Sequence, residues 1–188
     1  MRSRGFEVYH YGVETSDSGA NKDIHLFTKE EWTNLRIQSF RHVEPSLSLE
    51  DATKKHYDPK QLIGVLWDLS SPLIQEFNKR LREALQANYR SQHTDIVCLP
   101  HSVTHDSAIQ GKSYTVVETG IGYTSLSPHS IGKVFESYSW MSSILGKTNK
   151  DPHNYWWVVP NYFNIQEFEL SLHPNPLKIG FLGRLGAG

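Results

Sequence analysis

Two stretches of the sequence decide the fold: TDIVCLP at residues 94–100 and YTVVETGIGY at residues 114–123. Each is a short, continuous apolar run, ended by Pro100 in the first and by a pair of glycines in the second. Such runs are typical of parallel strands that are covered on both faces. We therefore expect two strands of a parallel sheet, with Cys98 as a small, buried and protonated core residue.

Helical patterns flank these strands. Ser70 or Ser71 can cap a helix that has Pro72 at its first position, and its apolar residues recur every four positions: Leu73, Phe77, Leu81 and Leu85. A capping box at residues 28–31 predicts a helix toward Phe40. Ser127 and Pro128 predict another helix that ends at Gly146, with its apolar side at Ile131, Val134, Phe135, Tyr138, Ile144 and Leu145.

Further strand patterns lie near both ends of the chain. Residues 5–12 place Phe6 and Val8 at strand spacing, and strand-like runs recur at residues 155–159 and 178–182. The polar residues 14–23 predict a loop, and residues 41–60 have no clear periodicity. The alternation of strands and helices predicts an α/β fold, a Rossmann-like, doubly wound parallel sheet.

Composition excludes several classes of function. In 188 residues, 19 Lys and Arg balance 20 Asp and Glu to a net charge of −1, with no basic stripe, so nucleic acid is not an expected partner. The single cysteine rules out an intrachain disulfide framework and favours a reducing, cytoplasmic location. No apolar run approaches the roughly 20 residues of a transmembrane helix.

Ligands of such sheets lie outside the carboxyl ends of the strands, and His101 and His105 directly follow the strand at residues 96–99. Two histidines four residues apart could bind a metal on a helix, but Pro100 and the β-branched Val103 and Thr104 favour a loop. The remaining alternatives are a hydrogen bond to a polar substrate and a simple loop cap.

Glycine-rich turns follow two other strands. Gly120 and Gly122 allow either a positive φ or the close approach of a ligand to the backbone, and a plain turn explains them equally well. Gly183 and Arg184 begin a turn whose amides could cradle an anion, with Arg184 adding a bidentate contact to a phosphate.

Four motifs occur in an order that resembles the retaining GT-B glycosyltransferases of family four: ETGIGY at 118–123, VFESYSWM at 134–141, VVPNYF at 158–163 and FLGRL at 181–185. RGFEVYHYG at residues 4–12 is similar to a stretch near the N-terminus of one branch of that family. The resemblance implies two Rossmann-like domains that face a cleft. Residues 1–174 would be the N-terminal acceptor domain without its first strand, and residues 175–188 the start of the C-terminal nucleotide-sugar domain.

The resemblance also implies roles for single residues. His105 matches a catalytic-loop histidine, Gly120, Gly122 and Tyr123 match the acceptor side of the cleft, and Gly183 and Arg184 match the donor-phosphate site. With His101, these are the expected site residues. The reaction would move a sugar from a nucleotide-sugar donor to a glycan or other hydroxyl acceptor with retention, without metal or another cofactor. The remainder of the C-terminal domain would be a required partner.

An alternative is a non-catalytic acceptor-domain fragment that only binds a sugar or a partner. We expect this chain alone to be inactive, because the resemblance places the rest of the donor site beyond residue 188. A sheet without its first strand should also leave an open edge and exposed apolar surface.

Overall fold

A computed structural model describes residues 4–58 and 68–161. The strands in this part of the chain are β1 (Tyr9–Val13), β2 (Lys22–Phe27), β3 (Ile96–Pro100), β4 (Thr115–Ile121), β5 (Gly132–Phe135) and β6 (Trp156–Val158). The helices are α1 (Lys29–Val43), α2 (Leu49–Tyr57), α3 (Pro72–Asn88), α4 (Asp106–Ile109) and α5 (Tyr138–Thr148). None of the helices within the described ranges is long and apolar enough to cross a bilayer.

All strand pairs in the described residues are parallel, which confirms the predicted α/β class. β3, β4, β5 and β6 form one sheet in that order, and β1 and β2 form a separate pair. One core joins the two sheets because residues of β2, β3 and β4 pack together with α3 and α4. This core consists of Leu26, Phe27, Leu81, Leu85, Val97, Leu99, Ala108, Ile109 and Val116.

The predicted helices α1 and α3 are confirmed, and both begin at the predicted caps. The Thr28 side chain accepts from the Glu31 amide, and a Glu31 carboxylate oxygen accepts from the Thr28 amide at 2.9 Å, which completes the capping box. Ser71 caps α3, and Pro72 takes the first turn. Local signals sufficed here because each helix carries its own cap and its own apolar stripe.

The predicted helix from Ser127 to Gly146 is wrong in its first half. Residues from Gly132 to Phe135 form β5, which pairs with β4 and β6, and α5 starts only at Tyr138, capped by Ser137. Phe135 is fully buried in the sheet, whereas Ile131 is exposed. Pairing with two neighbouring strands outweighs the local start signal at Ser127 and Pro128.

The N-terminal predictions need smaller corrections. The first strand begins at Tyr9, and Phe6 is 61% exposed. The loop predicted to reach Asp23 ends at Lys22, where β2 begins and pairs with β1. Within residues 41–60, which carried no assignment, Ser48 caps α2.

The prediction that β3 is covered on both faces is wrong. Val97 and Leu99 are buried, but Ile96 is 56% exposed and Cys98 is exposed as well, so Cys98 is not a core residue. The reason is that α3, α4 and α5 all pack on the face that holds Val97 and its neighbours.

Candidate functional site

The candidate site lies where β3 and β4 end. A 3₁₀ turn (Ser102–His105) follows β3, and residues 122–131 connect β4 to β5. The two segments meet through the rings of His101 and Tyr123, whose centroids are 4.3 Å apart at an interplanar angle of 48°. Two of the residues expected on the acceptor side of the cleft are therefore direct neighbours.

His101 is held in an unusual backbone conformation. Its φ of 54° and ψ of 48° are left-handed, a region that costs a residue with a Cβ roughly 1–2 kcal/mol. The Nδ1 atom lies 2.6 Å from the Thr104 hydroxyl, and burial lowers the pKa of the imidazole. Strained residues of this kind concentrate at functional sites, and the ring of His101 contacts that of Tyr123.

Tyr123 is fixed at both ends. Its hydroxyl donates to Glu118 Oε1 at 2.8 Å, and its carbonyl accepts from Trp140 Nε1 at 3.1 Å. Burial, followed by the hydrogen bond to Glu118, raises the pKa of the phenol well above its usual range. Tyr123 is therefore a neutral phenol at physiological pH.

A buried ion pair holds the connection between β4 and β5 in place. Glu118 is fully buried, and Lys133 from β5 places Nζ 3.2 Å from Glu118 Oε2. The same carboxylate oxygen accepts from the Ser127 amide at 3.2 Å and from the Ser130 hydroxyl at 3.1 Å. Lys133 Nζ also donates to the Ser127 carbonyl at 2.7 Å. The ion pair therefore holds the connection between β4 and β5 at both Ser127 and Ser130.

Lys133 was not predicted as a site residue, because the sequence pattern of residues 127–146 predicts a helix there. The available signal is the register of the sheet, in which Lys133 lies directly beside Glu118. When residues 132–135 are assigned to a strand, Lys133 lies in an apolar strand directly beside Glu118 of the neighbouring strand. A buried lysine beside a buried glutamate indicates an ion pair.

A second unpredicted pair lies beside the first. Asp106, at the start of α4, binds the Ser127 hydroxyl through one carboxylate oxygen and His129 Nδ1 through the other, at 2.6 Å for His129. Because a carboxylate only accepts hydrogen bonds, Nδ1 of His129 donates this one. The bond fixes the orientation of the ring and leaves Nε2 for a hydrogen bond to a ligand.

His105, the expected catalytic histidine, packs against α3. Its ring centroid lies 5.0 Å from that of Phe77, and Nδ1 lies 2.9 Å from Asn78 Oδ1, an acceptor. Asn78 in turn donates to the Thr104 carbonyl at 2.8 Å. Burial, with a smaller effect of His101, lowers the His105 pKa to about 4. These contacts tie the 3₁₀ turn to α3.

Gly120 and Gly122 are glycines for different structural reasons. Gly120 has a φ of 64° at a bulge of β4, between Glu118 and Ile121, where an L side chain is disfavoured. At Gly122 an added Cβ would lie 2.5 Å from Glu136 Oε1. The close approach that the sequence suggested for a ligand is thus made by a carboxylate of the same chain.

We expect Gly120→Ala to lower the free energy of unfolding by about 1–2 kcal/mol, because alanine must adopt the left-handed conformation. Gly122→Ala is the matched control and should cost less, since the Glu136 carboxylate can rotate away and gives up only a 3.4 Å bond to Asn161. Urea unfolding of both variants measures the difference. A larger loss for Gly122→Ala would contradict the assignment of backbone strain to Gly120.

A groove of about 610 Å³ also opens between α1 and α3, but none of the predicted site residues lines it. Its Arg80 is already paired with Glu31 at 3.0 Å and with Glu76 at 2.8 Å. The charges of Arg80 and its two partners in this groove therefore compensate one another, and the groove is not the candidate site.

No cluster of three or more His, Cys, Asp or Glu side chains suited to a metal occurs among residues 4–58 and 68–161. Gly183 and Arg184 lie outside the described residues, so their predicted role at the donor phosphates stays a prediction. Comparisons of the chain with protein-family models, curated proteins and solved structures find no match.

Proposed function

We propose that this chain carries the acceptor-binding part of a retaining GT-B glycosyltransferase with a Rossmann-like N-terminal domain. The observation that supports it best is the contact between His101 and Tyr123 outside the ends of two parallel strands. Open parallel sheets bind their ligands outside the carboxyl ends of their strands. A glycan or other hydroxyl acceptor is the proposed ligand, and a reducing, cytoplasmic compartment is the proposed location.

The chemistry of the site suits a sugar. Tyr123 and His101 offer aromatic rings for the apolar face of a pyranose, and the imidazoles of His101 and His129 can bond to its hydroxyls. In the proposed transfer, the acceptor hydroxyl attacks the anomeric carbon on the face from which the nucleoside diphosphate leaves, and an oxygen of the departing phosphate takes the hydroxyl proton. Gly183 and Arg184 would stabilise the leaving phosphates through backbone amides and a guanidinium, where other enzymes use a metal.

The contacts of His105 favour a narrower alternative for the chain itself. A histidine that packs on Phe77, bonds to Asn78 and has a pKa of about 4 is neutral near pH 7 and is held in a structural contact. The alternative is that residues 1–188 bind a sugar or a partner without catalysing transfer. Binding of an acceptor without binding of a nucleotide sugar would match this alternative.

Saturation-transfer NMR with simple glycosides tests acceptor binding. His101→Asn is the informative variant, because asparagine tolerates the left-handed backbone while the ring is lost. His153→Asn is the matched control, since His153 also contacts a tyrosine ring, Tyr155, at 5.4 Å. We expect glycoside signals in the unmodified chain and in the control, and their loss in His101→Asn. Equal signals in both variants would contradict the site.

Calorimetry with nucleotide sugars tests the donor side. The resemblance matches only Gly183 and Arg184 of this chain to the donor site, so residues 1–188 should give no measurable heat with any nucleotide sugar. Tight binding of a nucleotide sugar by residues 1–188 would contradict the proposed division between acceptor and donor parts.

A further inference from the structure

The carboxylate of Glu136 lies at the same edge of the sheet as His101 and Tyr123. Glu136 directly follows β5, His101 directly follows β3, and Tyr123 lies just beyond β4. The Glu136 amide donates to the carbonyl of Ile121, the last residue of β4, at 3.3 Å. Because β3, β4 and β5 are neighbours in one parallel sheet, their carboxyl ends bring these residues together at the edge where such sheets bind ligands.

Gly122 allows this carboxylate to lie directly against the backbone of the site. A Cβ at Gly122 would lie 2.5 Å from Oε1 and 2.8 Å from Oε2 of Glu136. Both carboxylate oxygens therefore lie over the residue that precedes Tyr123. The glycine places a negative charge beside the aromatic part of the proposed acceptor site.

The acceptor capacity of this carboxylate is largely unused. Within the described residues, its side chain has one hydrogen bond, a long one of 3.4 Å from Asn161 Nδ2 to Oε2. An ionised carboxylate has about four lone-pair positions on its two oxygens. Glu118 differs, because its oxygens accept from Tyr123, Ser127, Ser130 and Lys133. Glu136 is only half-buried, so a ligand can reach the oxygens that the fold leaves open.

No basic side chain in the part of the chain that the structure describes pairs with Glu136. Lys133, the basic residue of β5, is already paired with Glu118. Tyr123 is a neutral phenol, and burial lowers the pKa of His101, so its ring is neutral at pH 7. The site therefore combines two neutral rings with a carboxylate whose charge is not compensated.

We propose that Glu136 selects an uncharged sugar as the acceptor: its two oxygens accept hydrogen bonds from neighbouring sugar hydroxyls, and its charge excludes anionic sugars. This inference rests on the proposed function, because it names the class of acceptor that the same site takes. Hydrogen bonds to an ionised acceptor are roughly twice as strong as those between neutral groups. A sugar carboxylate or phosphate would meet a like charge here, and such contacts suppress wrong ligands.

Saturation-transfer NMR titrations with matched pairs of methyl glycosides test this selection. Each pair joins a neutral glycoside of glucose, galactose or mannose to its uronic acid, in which the hydroxymethyl group is oxidised to a carboxylate. The unmodified chain should bind at least one neutral glycoside at least about tenfold more tightly than the matching uronic acid.

Two variants assign this preference to Glu136. Glu136→Gln keeps one acceptor oxygen without the charge, so it should bind the neutral glycoside less tightly and the uronic acid more tightly than the unmodified chain does. Glu136→Lys reverses the charge and should lower the preference for the neutral glycoside at least about tenfold. Glu83→Gln is the matched control, because Glu83 is exposed on α3, and it should keep the preference unchanged. Circular dichroism should show that all three variants remain folded.

The outcomes separate this inference from the proposed function. If the unmodified chain binds none of these glycosides, both the acceptor site and the role of Glu136 are overturned. If it binds neutral and uronic glycosides equally, or if Glu136→Gln and Glu136→Lys both keep its preference, Glu136 does not select the acceptor. In that case the proposed acceptor site is retained and the inference about Glu136 is wrong.

Discussion

Lys133→Met is expected to lower the free energy of unfolding by about 3–5 kcal/mol, the loss typical of a buried ion pair that keeps one charge. Glu118 is fully buried, and only 9% of the Lys133 side chain is exposed. Methionine fills a similar volume but leaves the carboxylate without its cation and the Ser127 carbonyl without the donor at 2.7 Å. Both groups would remain away from water, which makes the loss large.

Urea unfolding followed by tryptophan fluorescence measures this loss. Lys54→Met is the matched control, because Lys54 lies 2.7 Å from Glu50 but both side chains are mostly exposed, at 67% and 79%. An exposed pair contributes little to stability, so this variant should unfold close to the unmodified chain. Similar losses for the two lysines would contradict the buried-pair explanation.

The double variant Glu118→Gln with Lys133→Met separates charge from packing. It removes both charges and keeps one oxygen, which can accept from Tyr123 or from Ser127 but not from both, because Glu118 binds them through different oxygens. We expect it to be more stable than Lys133→Met alone, because no uncompensated charge stays buried. If the losses of unfolding free energy in the two single variants simply add in the double variant, charge pairing is not the cause of the loss in Lys133→Met.

The same ion pair couples the fold to the candidate site. Glu118 binds the Tyr123 hydroxyl through one oxygen and the β4 to β5 connection through the other. A carboxylate that rearranges after Lys133→Met would release Tyr123 from His101. The stability of the sheet and the shape of the site therefore depend on one carboxylate.

Local signals in the sequence predicted the parts of the fold that local interactions determine. The caps at Thr28 and Ser71 begin their helices as expected, and the apolar runs of β3, β4 and β6 form strands. Predicting ligands at strand ends also identified the neighbours His101 and Tyr123. These features need no knowledge of distant contacts.

The remaining features depend on contacts between segments far apart in the chain. Ser127 has the sequence environment of a helix cap, but its amide and hydroxyl bind Glu118 and Asp106 instead. His129 becomes a site residue only through Asp106, which lies 23 positions earlier. The exposure of Cys98 depends on which face the helices cover, which a single strand pattern does not encode.

His105 should make the fold sensitive to mild acid. Burial lowers its pKa from 6.5 to about 4, so the folded chain binds this proton less readily than the unfolded chain does. The stabilising contribution is fully present above about pH 6.5 and is lost as the pH falls toward 4. Between about pH 7 and pH 5, the loss from this one group is about 2 kcal/mol.

The pH range of this loss distinguishes the contribution of His105 to stability from the contributions of the carboxylates. The pKa values of Glu31, Glu76 and Asp95 are lowered by their arginine partners, so their contributions are lost only below the ordinary carboxylate range. His101 and His56, whose pKa values are lowered by burial, add to the slope above that range. A variant of His105 is therefore needed to assign its share.

We expect His105→Gln to flatten the dependence of unfolding free energy on pH between about 7 and 5, because glutamine does not titrate while its amide can still donate to Asn78. His153→Gln, at an exposed position beside Tyr155, is the matched control for replacing a histidine by glutamine. Urea unfolding at several pH values gives both slopes. If both variants show the same slope as the unmodified chain, His105 is hydrated in the folded state, and its ring does not fix the 3₁₀ turn against α3.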